Sequence, residues 1–118
     1  MKKEVDMEQM QHIVDDWVIK NGGYWSPLAM LASVTEELGE IAREINHLEN
    51  IKIKKENEKK SYLKEEMGDI IFSIICIANH YSIDLNEAFN YTIKKYTERD
   101  WGRFSKDSKG NSKKSGGT

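Results

Sequence analysis

Proline and cysteine each occur once among the 118 residues of this chain, and each scarcity excludes something. The lone Cys76 cannot close an intrachain disulfide, and it cannot assemble a thiolate metal centre. It reads as a reduced thiol inside the apolar run 74–78. Nowhere do about 18 uncharged apolar residues follow one another, so no membrane span is expected. The opening Met1-Lys2-Lys3-Glu4-Val5-Asp6 turns acidic where a signal peptide would turn apolar, and a cytoplasmic location is the expectation. A net charge of -2 leaves no excess of base to neutralise a phosphate backbone, so no nucleic-acid polymer is expected as partner. No self-similarity at roughly 20 to 50 residues points to a solenoid.

With 38% apolar and 32% charged residues, the chain is too polar for a membrane protein and too apolar to stay disordered. Its apolar residues recur at three and four rather than at two, which predicts an all-α domain of four helices. The first spans about Glu4 to Lys20, with Met7, Met10, Val14, Trp17 and Val18 on one stripe, and stops at Asn21-Gly22-Gly23. Ser26-Pro27 reads as an N-cap followed by proline at the first helical position, where its missing N–H costs nothing. The second helix runs to about Leu48, with Leu31, Val34, Leu38, Ile41, Ile45 and Leu48 as its buried stripe. Residues 49–60 are nearly all Lys, Glu and Asn, and read as a mobile linker whose lysines, Lys52 to Lys60, could close over a ligand as a lid. Ser61 is the expected cap of a third helix ending near Tyr81.

Past Asp69 that third helix is apolar on nearly every side, so it must be buried by the rest of the chain or by a second copy. Asp84-Leu85-Asn86-Glu87 has capping-box spacing and opens a fourth helix with Leu85, Ala88, Phe89, Ile93 and Tyr96 on its stripe. Residues 105–118 show no apolar periodicity and are expected to form a disordered basic tail after a domain of residues 1–104.

Chemistry concentrates in two acidic pairs, Glu37-Leu38-Gly39-Glu40 and Glu66-Met67-Gly68-Asp69. Carboxylates three apart project from neighbouring azimuths of a helix, so two such helices face to face converge four oxygen donors on one volume. For the second helix taken alone the favoured reading is plainer: Glu36, Glu37, Glu40 and Glu44 form a wet face. The third helix resists that reading. Leu63, Ile70 and Ile77 fall within about 60° of Glu66, and an unpaired buried carboxylate costs several kcal/mol. No histidine stands three or four residues from a carboxylate in either pair, so zinc and di-iron sites are poorly supported. All-oxygen donors suit Mg²⁺, with Mn²⁺ as a substitute, and magnesium commonly shares its shell with phosphate. Lys94, Lys95, Arg99 and Arg103 lie in the following basic segment, although each taken singly reads as a solvated side chain.

Glu36-Glu37-Leu38-Gly39-Glu40, followed after a linker by Glu66-Met67-Gly68-Asp69-Ile70-Ile71-Phe72, resembles the MazG-like, all-α nucleoside triphosphate pyrophosphohydrolases, whose hallmark is E-E-x-x-E and then E-x-x-D on the next helix. The likeness extends from Gly23-Tyr24-Trp25-Ser26-Pro27 to Arg99-Asp100. It implies hydrolysis between the α and β phosphates to give a monophosphate and pyrophosphate, in removal of noncanonical or surplus nucleotides. It implies that Glu37, Glu40, Glu66 and Asp69 hold Mg²⁺, with Glu36 as a supporting group or water activator. It also implies that Lys95 and Arg99 reach the polyphosphate. Tyr96 departs from the asparagine of many members. Trp25 falls in the loop that borders the base pocket in relatives, or else plugs that loop as a core aromatic. Asn79 recurs in similar members, either meeting substrate or capping the third helix. His12, His47 and His80 fit no metal spacing. The expected assembly is a homodimer or a dimer of dimers. Two readings of other classes stand beside the enzyme: a helical interaction module with an acidic face, and a metal-binding regulatory protein without turnover.

Overall fold

The computed structural model of the chain describes residues 6–49 and 63–110. They form four α-helices: α1 (Met7–Lys20), α2 (Pro27–Leu48), α3 (Leu63–His80) and α4 (Leu85–Gly110). No strand occurs among the described residues. The proposed cap Ser61, the lysine-rich stretch 52–60 and residues 111–118 lie outside them.

Local chemistry explains the helix ends. The first helix begins at Met7 rather than near Glu4, because Asp6 caps it: its carboxylate accepts from the Gln9 amide at 2.9 Å while the Gln9 side chain accepts from the Asp6 amide at 2.9 Å. Lys20 closes α1, after which Gly22 and Gly23 take φ of 108° and 93°. Those are left-handed values that glycine adopts without the clash a Cβ would cause. The Gly23 amide then donates back to the Val18 carbonyl at 2.9 Å. Ser26 caps α2 as expected, its hydroxyl accepting from the Ala29 amide at 3.2 Å with Pro27 beside it. At the end of α3 the Ile83 amide reaches the Ala78 carbonyl (2.8 Å) and the Ser82 amide reaches that of Asn79 (3.2 Å). This closure requires a left-handed residue, and here it is Ser82, at φ 56°.

Helices α1, α2 and α3 belong to one compact unit, in which α3 packs against both α2 and α1; α4 belongs to a second unit. The core of the first unit is small: Val14 and Val18 from α1, Met30 from α2, and Ile75, Cys76 and Ala78 from α3. The thiol of Cys76 is therefore a core group, as its apolar surroundings predict.

Helix α2 overturns its expected stripe. Leu31, Leu38, Ile45 and Leu48 are exposed, whereas Met30 and Glu44 are buried and Ser33, Glu37, Glu40 and Ile41 are half-buried. The inward face is turned roughly a fifth of a turn from the apolar one, so the helix presents its acids to α3. Of the four glutamates that could have formed a wet face, Glu36 alone is exposed. Nor does this chain bury α3 all round: Met67, Ile71 and Ile74 remain 50%, 49% and 43% exposed.

Helix α4 continues to Gly110, past the Phe104 limit of the apolar pattern. A helix already nucleated propagates through residues such as Ser105 to Lys109 without needing an apolar stripe. Within α4, Lys95 lies over the rings of Tyr91 (5.6 Å) and Tyr96 (5.2 Å), and Arg99 lies 4.7 Å from the Tyr96 centroid.

Ser82 carries a conformational penalty that glycine would not, so Ser82→Gly is expected to stabilise the chain by about 0.5–1 kcal/mol. Urea denaturation checks this as a higher midpoint at unchanged slope.

Candidate metal centre and adjoining cavity

Three residues of α2 and α3 set the centre. Glu37 projects from the inward face of α2. Glu66 and Asp69, one turn apart near the start of α3, face it across the α2–α3 contact. One carboxylate oxygen from each of Glu37, Glu66 and Asp69 lies within 4.8 Å of the other two. Glu66 is buried, Glu37 is half-buried and Asp69 is exposed, so the cluster runs from the packed interface to the surface. Glu40, one turn further along α2, instead makes an ion pair with Arg43 at 3.4 Å. Glu36 points to the exposed side.

Three carboxylates this close place like charge around Glu37. The Glu37 carboxyl is held above its ordinary value of 4.5, first by desolvation, then by its hydrogen bond with Glu66, and then by the charges of Asp69, Glu66 and Glu40. Among the described residues no lysine or arginine pairs with the three. A converging, part-buried set of carboxylate oxygens fits a hard divalent cation, which would replace mutual repulsion with shared attraction.

Directly beside the cluster opens a cavity of about 470 Å³ whose lining includes Glu37 and Asp69. Its walls are aromatic: Trp17, Tyr24, Trp25 and Phe72. Trp17 and Phe72 meet edge to face, with centroids 5.7 Å apart and planes at 88°. Val18, Met30 and Cys76 supply apolar floor. Ser33 and Ser73 add a polar point, their hydroxyls 3.1 Å apart. Such a space, apolar with a few polar groups, suits a flat heteroaromatic ligand, whose anionic group the acids could meet only through a bound cation.

The remaining sequence-predicted residues fall in three places. Trp25 is 67% exposed and lines the cavity, so it borders the pocket rather than plugging the loop. Asn79 does not cap α3 with its side chain; that side chain bonds Gln11 and Tyr24. Lys95, Arg99 and Arg103 belong to α4, in the second unit. Sequence reasoning passed over Ser33, Tyr24, Trp17 and Phe72 as lining groups. A signal existed for the two serines, because Ser33 stands four residues before Glu37 and Ser73 four after Asp69, one helical turn from each acid.

Comparison with known proteins supplies the context for this geometry. Residues 25–104 match the MazG nucleotide pyrophosphohydrolase domain. The chain is 42% identical over 105 residues to YpjD of Bacillus subtilis, covering 88% of this chain and 95% of that protein. It is 31% identical over 81 residues to YvdC of the same organism, covering 64% of this chain and 76% of YvdC. The crystal structure of YpjD superposes with a TM-score of 0.71 at 42% identity, covering 80% of this chain and 98% of that one. The crystal structure of a Bacillus-conserved MazG protein, described as a nucleotide pyrophosphohydrolase, gives a TM-score of 0.66 at 40% identity, covering 80% and 92%.

The electrostatics make a signed prediction. Because Glu37 binds its proton more tightly in the folded chain than in the unfolded one, its contribution is fully favourable below 4.5 and is lost as pH rises through its raised folded value. With chelator present, Glu37→Gln should therefore gain stability over the parent chain as pH climbs from about 4.5 to neutrality. A divalent cation should close that gap by raising the Tm of the parent alone. Melting curves across pH, with and without metal, test both; a gap independent of pH would contradict the assignment.

Proposed function

Given that this chain belongs to the MazG nucleotide pyrophosphohydrolase family and is a hydrolase, we propose that it cleaves nucleoside triphosphates between the α and β phosphates. The products are a nucleoside monophosphate and pyrophosphate. The observation that carries this reading is the juxtaposition of an acidic cluster, Glu37, Glu66 and Asp69, with an aromatic cavity large enough for a nucleoside.

The residues divide the work. Trp17, Tyr24, Trp25 and Phe72 receive the base and sugar, burying flat apolar surface, while the Ser33 and Ser73 hydroxyls offer it hydrogen bonds. This orients the triphosphate toward Glu37 and Asp69 and converts chance collision into held geometry. Glu37, Glu66 and Asp69 hold Mg²⁺, with Mn²⁺ as a substitute, and Glu40 completes the set by leaving its ion pair with Arg43. A divalent cation held by these carboxylates would supply Lewis-acid charge to the phosphoryl oxygens and make water more acidic. Glu36 backs the site as the remaining motif glutamate. Lys95 and Arg99 of α4 are proposed, from the family resemblance alone, to meet the polyphosphate, with Arg103 in the same basic segment of the sequence. No nucleophilic side chain is required, which agrees with Cys76 being a buried core thiol. Among the described residues no helix is long and apolar enough to cross a membrane. The assigned role is sanitation of the cytoplasmic nucleotide pool.

A second copy of the chain completes the molecule. Leu31, Leu38 and Ile45 stand seven residues apart on the outer side of α2, each 44% to 57% exposed, and Met67, Ile71 and Ile74 form a further apolar stripe on α3. Apolar surface of this extent favours association between copies. The assembly is a homodimer or a dimer of dimers.

Two experiments test this reading. Glu66→Gln should keep its helical circular dichroism and lose Mg²⁺-dependent pyrophosphate release by roughly a hundredfold or more across a panel of ribo- and deoxynucleoside triphosphates. A non-catalytic module would show no release from the parent protein either. Leu31→Lys/Ile45→Lys should shift the mass measured by light scattering toward that of a single chain; an unchanged mass excludes α2 from the interface.

A further inference from the structure

Five hydrogen bonds join α1, the end of α3 and, through Tyr24, the loop between α1 and α2. The Gln11 side-chain amide donates to Asn79 Oδ1 at 2.9 Å and to the Ile83 carbonyl at 2.8 Å. Asn79 Nδ2 donates to the Gln11 carbonyl and to the Tyr24 hydroxyl, each at 3.0 Å. The Tyr24 hydroxyl in turn donates to Asp15 Oδ1 at 2.6 Å. Gln11 and Asp15 stand one turn apart on α1, Asn79 is in the last turn of α3, and all four side chains are half-buried.

We propose that Asn79, with Gln11 and Asp15, is a positioning residue acting through Tyr24. This latch fixes the α1–α2 loop and the aromatic wall it carries, and so sets affinity for the nucleoside part of the substrate without engaging the acidic cluster. The inference rests on the nucleotide-hydrolase reading above and assigns a role within it.

The geometry separates the two ends of the site. Residues 21–26 have no regular structure of their own and pass through two left-handed glycines. Trp25, two-thirds exposed, packs too little to hold itself in place. Tyr24 is the loop residue that both lines the cavity and is tied by its hydroxyl to α1 and α3. A hydroxyl that donates to a carboxylate and accepts from an amide is fixed in direction as well as position, since reversing either bond would set donor against donor or acceptor against acceptor. Burial and the bond to Asp15 push the Tyr24 phenol up to about 12, so the donor stays protonated through the range in which phosphate esters are assayed. Glu37 and Asp69 line the same cavity from α2 and α3, and neither bonds to the latch. Loosening the loop therefore weakens ligand capture before it disturbs the carboxylates.

Tyr24→Phe tests the proposal, because it keeps the ring on the cavity wall and removes only the hydroxyl. With a nucleoside triphosphate that the parent enzyme hydrolyses, KM should rise roughly 5- to 10-fold while kcat stays within about twofold. The half-saturating Mg²⁺ concentration should not move. Asn79→Ala should act in the same direction, and Tyr24→Phe/Asn79→Ala should be no worse than the worse single variant, as expected of two parts of one device. Should Asn79→Ala fail to fold by circular dichroism, Tyr24→Phe alone decides. A Tyr24→Phe protein with lowered Tm but parental KM overturns the latch and leaves a merely structural tie. So does a matching loss in kcat with a changed Mg²⁺ requirement. Absence of Mg²⁺-dependent pyrophosphate release in the parent protein itself overturns the underlying reading as well, and is seen before any variant is made.

Discussion

Like charges confined in a packed interface constrain this molecule more than any other contact. Glu66 is only 7% exposed, and Glu37 and Asp69 approach it within 4.8 Å. A domain of this size has a net stability of only about 5–15 kcal/mol, so a buried carboxylate beside two others would consume a substantial part of it. The hydrogen bond between Glu37 and Glu66 offers partial relief, and a bound cation would offer more. The rotation of α2 is what creates that constraint. A helix that could have buried Leu31, Leu38 and Ile45 turns Glu37, Glu40 and Glu44 inward instead, leaving its most apolar face outside.

Around that cluster the fold is economical. Helix α3 supplies acids to one neighbour through Glu66 and Asp69, core to both through Ile75, Cys76 and Ala78, and an anchor for a loop through Asn79. Its closing turn, built on a left-handed serine, places the Ile83 carbonyl where Gln11 can reach it. The end of α3 and the attachment of α1 are therefore one arrangement, and the aromatic cavity is bounded by the elements it ties.

The sequence was most informative where chemistry repeats at helical spacing. Two acidic pairs of identical spacing pointed to a common centre, of which Glu37, Glu66 and Asp69 converge while Glu40 pairs with Arg43, and the Ser26-Pro27 cap followed from local donor and acceptor rules, whereas the Asp6-x-x-Gln9 box lay inside the expected first helix. The azimuth of α2 was not legible. Which face turns inward depends on what the partner helix presents, and an apolar pattern cannot distinguish a stripe covered by its own chain from one covered by another. Gln11 and Asn79 lie 68 residues apart, so no periodicity joins them; only the fold brings an amide to an amide. Likewise the one-turn spacing of Ser33 and Ser73 from the acids is a signal that gains meaning only once the fold pairs the two hydroxyls.

Each acidic pair also encloses a glycine, Gly39 in one and Gly68 in the other, and a methyl group at either position would meet nothing within 4 Å. Crowding does not explain them. Mid-helix glycine sacrifices roughly 0.5–1 kcal/mol relative to alanine, and that weakness sits between the very side chains that must converge. Backbone of this kind is compliant: when a charged guest draws the carboxylates inward, the strain can spread into small adjustments of the helix instead of accumulating in distorted rotamers.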